Sequence, residues 1–179
     1  NETKKMDFSS GIRSLLRQDP DVILLGEVRD EDTANMAFRA AMTGHQVLTS
    51  LHANSALGAV PRLKDIGVAP DVLSGNIIGI IGQRLVRKLC KHCKTKRIPN
   101  ELECRLLSID PDSAKKHPVH DAKGCEECKN TGYKGRFAAV EILKMEDGID
   151  ELLAQDAVFS DLKKYAEKNG FIQMVDDGI

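Results

Sequence analysis

Residues 19–30, DPDVILLGEVRD, constrain the fold more than any other stretch of the chain. Four aliphatic residues, Val22–Leu25, run without interruption and close on Gly26, Glu27 and Arg29. An aliphatic run of this length bounded by Pro20 and Gly26 reads as a strand covered on both faces, and such strands belong to parallel sheets. In open α/β sheets the carboxyl ends of the strands open onto the ligand crevice, which would put Glu27 where chemistry is usually done. Taken alone, the stretch fits a surface acid in a strand-to-helix loop equally well.

The residues that follow supply the rest of a βαβ unit. Asp30 or Asp32 can cap a helix whose Ala34, Ala37, Phe38, Ala41 and Met42 recur at helical spacing, with Gly44 as its stop. His45 then leads into QVLTSLH, where Val47 and Leu48 offer a second short buried strand ending near His52. Strand, helix, strand in this order predicts a right-handed crossover. Asn54 or Ser55 can cap a further helix that stops at Gly67, with Pro61 inside it as a kink. Pro70 opens another helical segment that takes in Val72, Leu73, Ile77, Ile80 and Ile81, although Gly75, Gly79 and Gly82 each lower its intrinsic stability by roughly 1 kcal/mol relative to Ala. Three glycines there suggest close packing against a neighbour. QRLVRKL and, later, GYKGRFAAVEIL read as strands, and Ser160 as the cap of a last helix ended by Gly170.

Between those two strands the composition turns polar over residues 95–123, which marks an inserted subdomain. Its edges carry two CxxC pairs, Cys90/Cys93 and Cys125/Cys128, with 31 residues intervening. Four thiolates in two chelating pairs match tetrahedral zinc, and a closed set of four leaves no position for a substrate water, so such a metal is structural. Disulfide pairing is the competing reading, disfavoured because no signal-peptide pattern opens the chain. His92 could substitute as a ligand. Cys104 is left over and reads as a half-buried free thiol.

The net charge of −1 speaks against a whole-surface nucleic-acid binder, and no apolar stretch is long enough to cross a bilayer. Residues 84–97, RLVRKLCKHCKTKR, nevertheless hold Arg84, Arg87, Lys88, Lys91, Lys94, Lys96 and Arg97 without an acid. A solvated strand edge, an anionic lipid contact and a nucleic-acid contact all fit that pattern, the last weakened by the lack of interleaved aromatics. His45 and His52 stand seven residues apart, so a regular strand puts them on opposite faces and a shared metal is not expected. Each could position a phosphate or serve as a structural hydrogen-bonding histidine.

In order, DPDVILLGEVRDEDTANMAFRAAMTGHQVLTSLHAN, QRLVRKLCKHC and CEECKNTGYKGRFAAVEIL resemble the C-terminal part of the ATPases that power type II secretion and type IV pilus assembly. The resemblance runs over nearly the whole chain. It implies an α/β fold, part of a RecA-like P-loop core of mostly parallel sheet flanked by helices, with a small tetracysteine insert and a helical C-terminal part. The implied division is residues 1–89 for the core half, 90–130 for the metal-binding subdomain and 131–179 for the closing strand and helices. Glu27 would be the Walker B acid that orients the attacking water and helps hold Mg2+. His52, and with it His45, would belong to the histidine box facing the nucleotide, while Arg13 and Arg17 match arginines of the family pattern and would be charge stabilisers or inter-element salt bridges. The paired CxxC insert favours export or assembly over retraction.

The resemblance also implies ATP, Mg2+ and Zn2+ as ligands, a homo-hexamer working on an inner-membrane platform protein, and a cytoplasmic, membrane-peripheral location in a bacterium, with an anionic lipid contact open and no nucleic acid. No GxxxxGK[ST] phosphate loop occurs in the 179 residues. With the chain opening on NETKK rather than on an initiator Met, this predicts a piece of a longer protein that does not hydrolyse ATP by itself. A stand-alone zinc-binding interaction module is the alternative.

Overall fold

The computed structural model describes residues 8–178. They form two compact units: one runs to Gly82 and resumes over Glu141–Ile172, the other comprises Gln83–Val140 and the residues from Gln173 onward.

In the first unit β1 (Val22–Leu25) lies parallel to β2 (Gln46–Thr49), with Ile23 opposite Val47 and Leu25 opposite Thr49. The helix between them, α2 (Glu31–Met42), starts where expected. Asp30 accepts the Thr33 N–H at 2.8 Å, and Glu31 and Asp32 place negative charge in the first turn, where the helix dipole favours it. Its buried side, Thr33, Ala34, Met36, Ala37 and Ala40, follows the helical period. Gly44, at φ +94°, ends it in a conformation that disfavours any residue with a Cβ.

The expectation of a strand covered on both faces is corrected. Ile23 and Leu25 are 3% and 5% exposed, but Val22 and Leu24 on the other face are 53% and 78% exposed. Among the described residues this sheet has two strands, and only one of its faces is packed.

Two expected helices also differ. Instead of a long kinked helix, Ser55 Oγ accepts the Gly58 N–H at 3.0 Å in a turn, and α3 (Ala59–Asp65) begins just after it. Pro61 therefore falls in the first turn, where its missing N–H has no intrahelical partner to lose. The segment from Pro70 is helical only over α4 (Pro70–Leu73), after which Gly75 reverses the chain at φ +72° and β3 (Gly79–Leu89) begins. The β-branched residues at 77–81 and the glycine entropy cost outweigh a helical period that the sequence also satisfies. β3 pairs with β6 (Tyr133–Lys144). In this unit α6 (Asp147–Ala154) and α7 (Phe159–Lys168) add Ile149, Leu153, Leu162 and Ala166 to a core built on Leu25, Val28, Val60 and Leu73. α7 is the last helix expected from the sequence, though Ser160 lies inside it and the cap residue is Val158. α6, whose second residue is Gly148, is not among the expected helices.

In the second unit β4 (Thr95–Arg97) pairs antiparallel with β5 (Val119–Asp121). A capping box of Asn100 and Glu103 starts α5 (Glu101–Leu106), and α8 (Met174–Asp177) supplies an Asp177 carboxylate that accepts the Val140 N–H at 2.8 Å. Cys104 is fully buried at 2% exposure rather than half-buried.

Arg97 clamps this unit, reaching Glu103 at 2.5 Å and Asp121 at 2.8 Å. The Arg97 guanidinium and then the Asn100 N–H hold the Glu103 carboxyl at about 2, against an ordinary value of 4.5. A carboxyl depressed in the folded state stabilises above its unfolded value and loses that contribution as pH falls through the folded one. The stability gap between the parent and Glu103→Gln is therefore expected to be full at about pH 6 and to close between about pH 4.5 and about pH 2. Paired denaturant titrations check this, and taking the difference removes acid effects common to both proteins.

Candidate functional site

Two groups of side chains stand out, one in each unit. In the first, the carboxyl ends of β1 and β2 are tied together: the Val28 N–H donates to the Ser50 carbonyl at 3.0 Å, and Ser50 Oγ donates to the Gly26 carbonyl at 2.6 Å. Glu27 lies inside that tie. Its Oε1 is 2.5 Å from an Arg29 guanidinium nitrogen and its Oε2 is 3.3 Å from His52 Nε2. Arg29, by hydrogen bond and charge, holds the Glu27 carboxyl below the usual carboxylate range against the opposing effect of partial burial, and His52 adds to the lowering. Glu27 is thus an ionised oxygen donor, a better metal ligand and water-orienting acceptor than a proton-abstracting base. Arg29 was not singled out from sequence; its place two residues beyond Glu27 in an extended segment is the signal that could have found it.

The other site expectations separate. His52 reaches Glu27, whereas His45 stands at the start of β2, the opposite end of the parallel pair. There its Nδ1 lies 3.1 Å from both the Ala40 carbonyl and Thr43 Oγ1, so it closes the end of α2. Arg13, in the last turn of α1 (Phe8–Leu15), and Arg17, in the 3-10 turn that follows, are exposed and make no ion pair among the described residues.

In the second unit the four cysteines converge. Sγ separations are 3.9 Å for Cys90–Cys125, 3.8 Å for Cys93–Cys128 and 3.7 Å for Cys125–Cys128, and all four sulfurs lie within 4.8 Å of one another. A regular tetrahedron with Zn–S bonds of about 2.3 Å puts its sulfurs about 3.8 Å apart, so the donor set fits a tetrathiolate metal. All are free thiols, which removes the disulfide reading, and His92 is not among the converging ligands. Backbone N–H groups of Gly124, Cys125 and Gly132 point at Cys93 and Cys128 sulfurs at 3.2–3.3 Å, as partners that steady thiolate charge. Burial pushes the Cys93 thiol up to about 11. At Cys128 the N–H groups of Cys125 and Gly132 and the neighbouring thiols outweigh burial and bring the thiol down to about 6. Within the basic stretch, Arg97 is consumed by its two acids and Arg87 lies 3.9 Å over the Tyr133 ring, beside a shallow cavity of about 210 Å³.

Comparison with known proteins first gives the class. The X-ray structure of the ATPase DotB from Legionella pneumophila superposes with a TM-score of 0.60 over 96% of this chain and 37% of its own, at 21% identity, so this chain shares the fold of that ATPase. The pilus retraction motor PilT, solved with bound ADP, aligns with a TM-score of 0.55 at 26% identity over 98% of this chain and 44% of its own.

The family follows from sequence. The family described as Type II/IV secretion system protein matches residues 1–179, and the chain belongs to it. Type II secretion system protein E of Pseudomonas aeruginosa is 42% identical over 170 residues, 95% of this chain and 34% of that protein. The type IV pilus assembly ATPase PilB of Thermus thermophilus is 38% identical over 179 residues, 100% of this chain and 20% of that protein. The chain therefore spans about a third of the first relative's length and a fifth of the second's. No described helix is long and apolar enough to cross a membrane.

Proposed function

We propose that this chain is the C-terminal part of a motor ATPase that uses ATP hydrolysis to drive protein export or pilin polymerisation. The observation that carries the reading is Glu27: an ionised carboxylate at the carboxyl end of a parallel strand, in contact with His52. Glu27 orients the attacking water and would offer an oxygen to Mg2+, which, bound with ATP, would neutralise charge developing on the phosphates. Arg29 keeps the carboxyl ionised. His52, exposed on its far side, reports phosphate state to the loop that carries it. Arg13 and Arg17, cations without partners among the described residues, serve as charge stabilisers, and His45 serves the fold.

The four cysteines hold structural zinc that supplies no chemistry to the reaction. The full protein works as a homo-hexamer, cytoplasmic and peripheral at the bacterial inner membrane, against a platform protein. The exposed cations Arg84, Lys88, Lys91, Lys94 and Lys96 are available to anionic headgroups. A family match over the whole chain, rather than over the cysteine unit alone, supports this reading over a stand-alone zinc module.

These 179 residues lack the phosphate loop that would grip ATP, so the isolated chain is inactive. The test compares ATP turnover by the longer protein with that of the 179-residue chain. Turnover by the longer protein alone is expected; hydrolysis by the short chain would contradict the assignment.

A further inference from the structure

We infer that Glu141 is a positioning residue for His52, fixing from beneath the loop that presents the imidazole to Glu27. Glu141 is 5% exposed, one of two buried polar residues in the described chain beside Thr33. Burying a carboxylate is costly unless a donor meets it. Here its Oε1 accepts the Ala56 N–H at 2.5 Å. Ala56 is itself 1% exposed and lies four residues beyond His52. The approach is close enough that β3 needs a glycine beside it. A Cβ on Gly82 would fall 2.9 Å from Glu141 Cγ and Oε1, and 3.1 Å from the Ala56 nitrogen.

What this junction does follows from how little else holds the loop. The Ser50 end is tied to β1 through Val28 and Gly26. From Leu51 to Ser55 the backbone makes no hydrogen bond to other backbone among the described residues; Leu51 packs against the core, while the His52 side chain is 86% exposed, so packing does not hold the imidazole itself. The loop is anchored before His52 by Ser50 and by the packing of Leu51, and after it at Ala56, where core burial and the Glu141 hydrogen bond act together. Releasing this hydrogen bond frees the loop at Ala56 while leaving His52 chemically intact. Displacement of a positioned group by about 1 Å can cost up to about 100-fold in rate.

The inference rests on the proposed reading that Glu27 and His52 face the nucleotide. Its test is a double-mutant cycle on kcat in the longer protein, with parent, Glu141→Ala, His52→Ala and the double variant. Glu141→Ala is expected to lower kcat about 10-fold with KM within about 2-fold, and to add less than about 2-fold in the His52→Ala background. Glu141→Gln, whose amide carbonyl still accepts the Ala56 N–H, is expected to keep most of the activity. If Glu141→Ala does not fold, Glu141→Asp, which keeps the carboxyl group but shortens the reach, takes its place in the cycle. An equal loss in both backgrounds would show a merely structural role and overturn the inference, as would unchanged kcat in Glu141→Ala or in His52→Ala. Glu27→Gln run alongside separates the two levels. If it abolishes turnover while the cycle is additive, only the positioning role fails; if it leaves turnover intact, the ATPase reading fails.

Discussion

Stripping the metal is expected to unfold the Gln83–Val140 unit while the first unit stays folded. The reason lies in what that unit buries. Its buried cluster is Cys90, Cys93 and Cys128 with Cys125 against them, and beyond it only small residues such as Cys104, Ala114 and Ala139 are buried. Aliphatic side chains that could form a core, Leu85, Ile98, Leu102 and Leu106, are exposed. The first unit by contrast gathers Leu25, Val60, Leu73, Leu143 and Leu153 into one cluster. With so little apolar burial, the proposed zinc tetrathiolate is expected to carry most of the stability of this unit, since structural zinc supplies apparent binding energies of about 10 kcal/mol or more. Elemental analysis of reduced protein should find one zinc per chain. Chelation, or Cys128→Ser, should bring fast amide hydrogen exchange to residues 83–140 while residues 22–73 remain protected. Protection in both units after complete metal removal would contradict the structural role.

Glu27→Gln is expected to reduce ATP turnover by the longer protein about 10²–10⁴-fold, the usual range for a group that orients or activates a nucleophile. The amide keeps the size and can accept a hydrogen bond, but it loses the charge that Arg29 and His52 meet and that a divalent cation needs. Stability should barely change, because Arg29 and His52 are largely exposed and such pairs contribute little. The lowered carboxyl sets a direction for pH as well. Glu27 stays ionised through neutrality, so its own protonation can limit activity only as pH falls below the ordinary carboxylate value of 4.5. An acidic limb near neutrality would belong to another group.

Much of this was legible in the residues. Asp30 or Asp32, the alanine-rich period and Gly44 bound α2 to within two residues, and the strand either side of it follows from aliphatic runs closed by polar turns. The four thiols could be read from spacing alone, because a CxxC pair restricts where its sulfurs can go. What failed was the segment after Pro70, where Ile77, Ile80 and Ile81 satisfy helical spacing yet are β-branched and separated by glycines; tertiary pairing with β6 decided it. Glu141 was invisible because an acid in a strand pattern reads as solvent-facing, whereas in the fold it is 5% exposed and meets the Ala56 N–H. His45 and His52 looked equivalent in sequence. Parallel topology separates them, since one precedes β2 and the other follows it.

Single-turnover hydrolysis of radiolabelled ATP by the longer protein, parent against Glu27→Gln, tests the central claim most directly because it isolates chemistry from product release. The account predicts that both proteins bind ATP with similar affinity and that the variant's cleavage step is at least about 100-fold slower. Equal cleavage rates would show that the carboxylate at the end of β1 takes no part in hydrolysis.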